Sequence, residues 1–201
     1  IKADTNIGID IKGYTVETGN KITNEGNLTI KDTGSEKGLL KPSVSITNNG
    51  KLIFEGISVE ETTDVNVVEN SGNLEINSST LTAKGGYVVN NKENGVINSN
   101  DSGVIKGTNG IKVSGTNTIK SAHIELTSSG YGIYGVDSTG NTIVENVSIV
   151  GTNGTGIQMD AGNIVVNNAT MDGVYRDFYF RNYSATGTIN GGSYTNATIS
   201  V

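Results

Sequence analysis

The sequence predicts an all-β protein, a right-handed parallel β-helix (β-solenoid) with three short strands in each coil of about 23 residues. Three observations predict this fold: a glycine that recurs once per coil, apolar alternation in three stretches of each coil, and no window of helical periodicity. A unit of this length cannot bury its apolar face alone, so it must stack on its neighbours.

The recurring glycine sets the length of the coil. It stands at Gly26, Gly50, Gly72, Gly95, Gly115, Gly140, Gly162 and Gly187, at a mean spacing of 23 residues. The 201 residues therefore give eight to nine coils. Layers stacked at an interstrand distance of about 4.8 Å would form a rod roughly 40 Å long.

Alternating apolar residues predict three strands in each coil. The first strand follows the glycine and has the inward pairs Leu28 and Ile30, Leu52 and Phe54, Leu74 and Ile76, and Ile164 and Val166. The second has Ile57 and Val59, Leu81 and Ala83, Ile124 and Leu126, Val147 and Ile149, and Ala169 and Met171. The third is marked by Val88, Ile111, Ile133, Ile157 and Phe178.

The whole chain, residues 1–201, is predicted to be a single β-helix domain. Residues 31–42 carry lysine, glutamate and the single proline, and they are predicted to form a turn insertion on the surface of the rod. The last coil stops in mid-repeat at Thr198–Val201 without a polar cap. We therefore expect the chain to be a fragment of a longer protein.

Asparagines directly follow several of the recurring glycines, at Asn27, Asn73, Asn141 and Asn163. Amides in equivalent positions of successive coils can hydrogen-bond up a column, and asparagine tolerates left-handed turns. The sequence predicts a structural role for these residues.

Composition and charge argue against several functions. The net charge is −6 and the lysines are scattered, so no basic stripe is present to bind nucleic acid. There is no run of 18 apolar residues, so we expect no direct membrane insertion by this segment. We expect no cofactor.

The coil sequences resemble the passenger repeats of large Gram-negative autotransporters. The resemblance is carried by residues 130–135 (GYGIYG), 142–146 (TIVEN) and 151–157 (GTNGTGI), and it covers most of residues 20–200. Similar coil sequences occur in pectate-lyase-like adhesive domains. The resemblance implies an extracellular or bacterial cell-surface β-helix, an adhesin or the receptor-binding part of a toxin, with a host or bacterial surface protein or glycan as partner.

A polysaccharide-active enzyme is the alternative, because many β-helices cleave polysaccharides. Such an enzyme needs several carboxylates beside a basic residue. The candidates are Arg176, Arg181 and His123, with Asp160, Asp172 and Asp177 near the arginines in the sequence. Alternation places His123 outward, two coils away from the arginines, which favours a surface role.

One pair of carboxylates is a weak candidate for a cation site. Asp137 and Asp160 are 23 residues apart, one coil, and would lie about 5 Å from each other across adjacent coils. Aspartate at a turn also bonds to its own backbone, and this explanation is favoured over the metal site.

The segment Met171–Tyr183 (MDGVYRDFYFRNY) differs in composition from the other coils. It contains both arginines and five of the eleven aromatic residues. Phe178 and Phe180 keep the inward register. The candidate ligand-binding residues are therefore the remaining aromatics and arginines, which are Tyr175, Arg176, Tyr179, Arg181 and Tyr183. Taken together, the sequence predicts a non-catalytic adhesin or stalk that presents a binding surface.

Overall fold

The computed structural model describes residues 1–100, 102–137 and 139–196 and the backbone of 199–200. Residues 197–198 and 201 of the coil predicted to stop in mid-repeat lie outside this range. Within the described residues every regular element is a strand. No described segment forms an apolar helix of the length that a bilayer crossing requires.

The strands are short, and each begins and ends close to a polar turn. In chain order they are β1 (Asn6–Asp10), β2 (Thr15–Thr18), β3 (Thr23–Asn24), β4 (Asn27–Lys31), β5 (Leu39–Pro42), β6 (Ile46–Asn48), β7 (Lys51–Glu55), β8 (Ser58–Glu61), β9 (Val68–Asn70), β10 (Asn73–Asn77), β11 (Thr80–Ala83), β12 (Tyr87–Asn91) and β13 (Val96–Ser99). They continue with β14 (Val104–Gly107), β15 (Asn109–Val113), β16 (Asn117–Lys120), β17 (His123–Leu126), β18 (Tyr131–Gly135), β19 (Asn141–Glu145), β20 (Ser148–Val150), β21 (Thr155–Met159), β22 (Gly162–Asp172), β23 (Arg176–Phe180), β24 (Ala185–Tyr194) and β25 (Ile199–Ser200).

Every third strand pairs in parallel, so the strands form three faces of a rod. The first face contains β1, β4, β7, β10, β13, β16 and β19, and the second contains β2, β5, β8, β11, β14, β17 and β20. Strands β22 and β24 run across both faces, and the third face contains β3, β6, β9, β12, β15, β18, β21, β23 and β25. The prediction of a parallel β-solenoid with three strands per coil is confirmed, with about eight turns of about 22 residues.

The core runs along the axis of the rod. All the residues that alternation predicted to face inward are buried, including Phe178 and Phe180. Equivalent positions of successive coils stack directly, as in the column formed by Leu28, Leu52 and Leu74. Each layer therefore buries its apolar side chains against the layers above and below, which supplies most of the stabilisation of the rod.

The recurring glycines are aligned in two groups rather than in one column. The first four glycines align, since the residue after each pairs with its equivalent in the next coil. Gly95 then lies beside Asn117, two residues past Gly115, so the register shifts by two at this coil. Gly187 pairs with Ile164 at an inward position, where a Cβ would lie 2.3 Å from Phe180. A shift of two residues keeps every side chain on its own face, so alternation does not reveal it.

The corner between the first and second faces is a single left-handed residue in several coils. The φ angle is 50° at Ser78, 53° at Ser121, 52° at Asn146 and 61° at Asn168. Asparagine adopts this conformation more readily than most residues because its short polar side chain bonds locally. The Nδ2 group of Asn168 donates to Oδ1 of Asn146 at 2.9 Å, which joins two of these corners.

A ladder of five buried asparagines runs between the third and first faces. Each Nδ2 group donates to Oδ1 of the next asparagine at 2.7–2.8 Å, from Asn24 through Asn48, Asn70 and Asn91 to Asn117. Each Nδ2 group also donates to a backbone carbonyl. The buried amides are therefore satisfied only because the coils stack.

The asparagines predicted to stack lie elsewhere, on the outside of the first face. Asn163 bonds Asn141 at 2.9 Å, and Asn27 bonds Asn6 at 2.6 Å. Asn73 instead pairs with Lys51 on one side and Val96 on the other. The predicted column is therefore present only as separate pairs, and the continuous ladder is the buried one.

The predicted insertion at residues 31–42 is shorter in the structure. Only residues 32–38 form the connection, because Lys31 ends β4 and Leu39–Pro42 forms β5. The carboxylate of Asp32 organises this loop by accepting from the backbone N–H groups of Gly13 at 2.6 Å, Gly34 at 2.9 Å and Gly38. These bonds, led by that of Gly38, lower the pKa of Asp32.

The loop is expected to lose stability in acid. The pKa of Asp32 is lower in the folded than in the unfolded chain, so its ionised carboxylate stabilises the folded chain above the ordinary pKa of 3.8. This stabilisation is lost progressively as the pH falls below 3.8. The difference in melting temperature between pH 7 and pH 3 should be smaller for Asp32→Asn than for wild type. Glu36→Gln in the same exposed loop is the control and should leave that difference unchanged; equal pH dependence of Asp32→Asn and wild type would contradict the expectation.

Candidate ligand-binding groove on the third face

The outer side of the third face carries an aromatic and polar surface in its last coils. The first and fourth residues of strands β12, β15, β18 and β23 are half-buried, while the second, third and fifth are buried. The fourth positions stack in the order Asn90, Lys112, Tyr134, Gln158 and Tyr179. Tyr131, Thr155 and Arg176 stack at the first positions. Coil stacking therefore brings together residues that are 21 to 24 positions apart in the chain.

An open groove of about 410 Å³ lies on this surface. Its floor and walls come from β18, β21 and β23 and from the turns at Ser129–Gly130 and Asn153–Gly154. The side chains that line it include Tyr131, Gln158, Tyr175, Arg176, Tyr179 and Arg181. Three successive coils thus contribute to one concave site.

Arg176 lies between two tyrosine rings. Its Cζ atom is 4.9 Å from the ring centroid of Tyr179 and 5.3 Å from that of Tyr175. Cation–π attraction acts at these distances, and it holds the guanidinium without occupying a hydrogen-bond acceptor of the protein. The geometry holds a planar cation at one wall of the groove.

Asp160 connects the groove to the neighbouring tyrosine. Its Oδ2 atom accepts from the Tyr134 hydroxyl at 2.7 Å, and its Oδ1 atom accepts from Nε2 of Gln158 at 2.8 Å. The Nη1 atom of Arg181 lies 3.5 Å from Oδ2. Burial, and then the bond to Asp160, raise the pKa of Tyr134 to about 12, because both favour the protonated hydroxyl that donates this bond.

Tyr134 is further held by two stacked tyrosines. The ring centroids of Tyr131 and Tyr134 are 5.0 Å apart with an interplanar angle of 21°, and those of Tyr87 and Tyr134 are 6.2 Å apart at 9°. Such aromatic pairs stabilise each other beyond the area that they bury. The aromatic surface next to the groove is therefore fixed before any ligand arrives.

The structure brings four of the five predicted ligand-binding residues together. Tyr175, Arg176, Tyr179 and Arg181 all line the groove. Tyr183 is fully exposed and instead lines a smaller depression of about 250 Å³ with Phe180, Arg181 and Asn182. Tyr183 therefore stands at the edge of the site rather than in it.

The prediction did not include the residues that come from earlier coils. Tyr131, Gln158 and the Asp160–Tyr134 pair lie outside the segment 171–183 that the sequence singled out. The coil register could have identified them. Tyr131 lies in the same column as Thr155 and Arg176, and Tyr134 lies in the same column as Gln158 and Tyr179.

Comparison of the chain with models of protein families, with curated proteins and with solved structures finds no match.

The other candidate polar residues do not meet in one site. His123 is outward on the second face, with Nε2 3.5 Å from Glu125. Asp172 accepts from Thr195 at the end of β22, while Asp177 is buried and accepts from the N–H of Asn196 at 3.1 Å. Burial raises the pKa of Asp177, whose Oδ1 atom has no partner among the described residues.

The candidate cation pair has its carboxylates engaged elsewhere. Asp137 accepts from the N–H and hydroxyl groups of Thr139 at 3.0 and 2.9 Å, as an aspartate at a turn does, and Asp160 binds Tyr134 and Gln158. No cluster of three or more His, Cys, Asp or Glu with metal-binding geometry occurs in the described part of the chain.

Proposed function

We propose that this chain is a non-catalytic binding rod of the adhesin type, located outside the cell or on a bacterial surface, which recognises a glycan through the groove on its third face. The observation that carries the proposal is the convergence of Tyr131, Tyr175 and Tyr179 with Gln158 and Arg176 around one concave, open groove. Tyrosine rings stack on the C–H faces of sugars, and amide and guanidinium groups bond sugar hydroxyls.

The form of the site favours a glycan over a flat protein partner. A groove of about 410 Å³ is of the size that encloses a small ligand. A stable protein interface usually buries about 800 Å² on each partner, with a hydrophobic centre. The described lining is polar and aromatic, which suits a partner made of sugar rings and hydroxyl groups.

The lining also favours binding over turnover. Most glycoside hydrolases use two carboxyl groups that flank the scissile bond. The groove lining contains two arginines and, among the described residues, no carboxylate. Asp160 lies beside the groove, where it contacts Gln158 and Arg181, and both its oxygens already accept hydrogen bonds.

The proposal is tested with a glycan panel followed by calorimetric titration of the best ligand. Tyr179→Ala should raise the Kd about tenfold or more, because the ring forms a wall of the groove. Tyr179→Phe keeps the ring and should retain most of the affinity. Tyr14→Ala is the matched control, since Tyr14 is exposed in the first coil, and its Kd should equal that of wild type.

Two results would contradict the proposal. The first is a panel on which no glycan binds. The second is a Kd of Tyr179→Ala that matches wild type while its melting temperature shows that it is folded.

A further inference from the structure

The charge of the groove differs from that of the rest of the molecule. The chain carries a net charge of −6, yet the groove is lined by two arginines and, in the part of the chain that the structure describes, by no acidic side chain. Elsewhere on the rod, several lysines are paired with a carboxylate of the adjacent coil, as in Lys106–Glu125 and Lys120–Glu145, both at 2.9 Å. The groove is therefore a positive site on an acidic protein.

The two arginines are not equivalent. Arg181 lies 3.5 Å from Asp160, which compensates part of its charge. The guanidinium of Arg176 lies against the rings of Tyr175 and Tyr179, and among the described residues its side chain has no carboxylate or other hydrogen-bond acceptor. Arg176 is half-buried, so this charge is held in place beside the groove with its donors unused.

The chemistry of this arrangement identifies a class of ligand. A guanidinium held against aromatic rings, with no protein acceptor for its N–H groups, presents a planar fork of donors, and that fork matches a carboxylate or a sulfate in bidentate geometry. A neutral sugar would leave the charge uncompensated once the groove is filled and water is displaced. A ligand with an anionic substituent would pair with it.

We infer that the glycan bound in the groove is acidic and that its carboxylate or sulfate group binds Arg176, with the sugar ring against Tyr179. This inference rests on the proposed function and names the ligand class of the same site. Arg181, held by Asp160, borders the ligand without being its main anion-binding group.

The experiment uses a panel in which each neutral oligosaccharide is accompanied by a carboxylated and a sulfated derivative, for example lactose, 3′-sialyllactose and lactose 3′-sulfate. Acidic members should bind about 10- to 100-fold more tightly than their neutral parents, the range expected for charge-assisted hydrogen bonds. Raising the salt concentration should weaken the acidic members alone. The carboxylated and sulfated arms distinguish the two anionic groups.

Variants of Arg176 locate the effect. Arg176→Gln should abolish the preference for the anionic group, so that acidic ligands bind no more tightly than their neutral parents. Arg176→Lys keeps the charge but loses the planar fork, so it should be intermediate. Lys112→Gln is the control, because Lys112 lies on the same face outside the groove lining, and its affinities should be those of wild type.

The possible results of these titrations distinguish a failure of the acidic-ligand inference from a failure of the proposed glycan binding. Equal affinity for neutral and acidic members would overturn the inference while leaving glycan binding intact. A loss of neutral and acidic binding to the same extent in Arg176→Gln would also overturn it. A panel without any binding would overturn both.

Discussion

Replacing Gly72 by alanine is expected to lower the free energy of unfolding by about 3 kcal/mol, the upper part of the range for overpacking a tightly packed site. A Cβ at Gly72 would lie 2.1 Å from the carbonyl oxygen of Gly50 and 2.8 Å from the carbonyl carbon of Asn49. That oxygen also accepts from the N–H of Asn73 at 2.8 Å, so the backbone cannot withdraw without losing a bond between coils.

Urea unfolding followed by circular dichroism measures this effect. Gly8→Ala is the matched control, because a Cβ at Gly8 meets no atom within 4 Å and its φ angle is not positive. Its free energy of unfolding should stay within about 0.5 kcal/mol of wild type. A Gly72→Ala protein as stable as Gly8→Ala would show that the contact between the coils can relax.

The second large effect is expected at the centre of the buried asparagine ladder. Asn70 accepts from Asn48 and donates to Asn91, both at 2.7 Å. Asn70→Ala would leave the Oδ1 atom of Asn91 without its donor and deprive Nδ2 of Asn48 of one acceptor. An unsatisfied buried polar group costs about 1–3 kcal/mol, so the two losses should lower the free energy of unfolding by about 3 kcal/mol.

Two further variants make this second experiment specific. Asn98→Ala removes an exposed amide from the first face and should change stability by less than about 0.5 kcal/mol. Asn70→Asp keeps the shape but as a carboxylate cannot donate to Asn91. Its stability should improve as the pH falls, since the protonated carboxyl can donate and carries no buried charge. Equal stability of Asn70→Ala and Asn98→Ala would mean that the ladder contributes nothing.

The fold was predictable because it repeats. Inward residues such as Leu52, Ile124 and Ile157 recur in strands that alternate with a period of two, and stacking gives each of them the same environment. The two-residue shift between Gly95 and Gly115 was not predictable in this way, because it leaves alternation unchanged.

The asparagine ladder was hidden for a different reason. Asparagine is common in turns, and only the pairing of coils shows that Asn24, Asn48 and Asn70 face inward with their amides satisfied by one another. A single amide buried at such a position without a partner would destabilise the fold. The inward position of these asparagines therefore becomes evident only when equivalent positions of successive coils are compared.

The groove was predicted in part. Its wall at Tyr175, Arg176 and Tyr179 lies in one dense segment, and composition is enough to find it. Its other contributors, Tyr131 and Gln158, stand in coils whose own composition is unremarkable. Their role depends on the strand register, which places them beside β23.

The construction of the groove from β18, β21 and β23 couples ligand binding to the cohesion of the rod. A ligand that contacts three coils binds only while all three remain stacked, so it stabilises the stacked state. This stabilisation grows with the logarithm of the ratio of the ligand concentration to the Kd. Detachment of the coil that contains β23 would remove Arg176 and Tyr179 together. A ligand bound in the groove would thus hold successive layers together, and separation of the layers would release it.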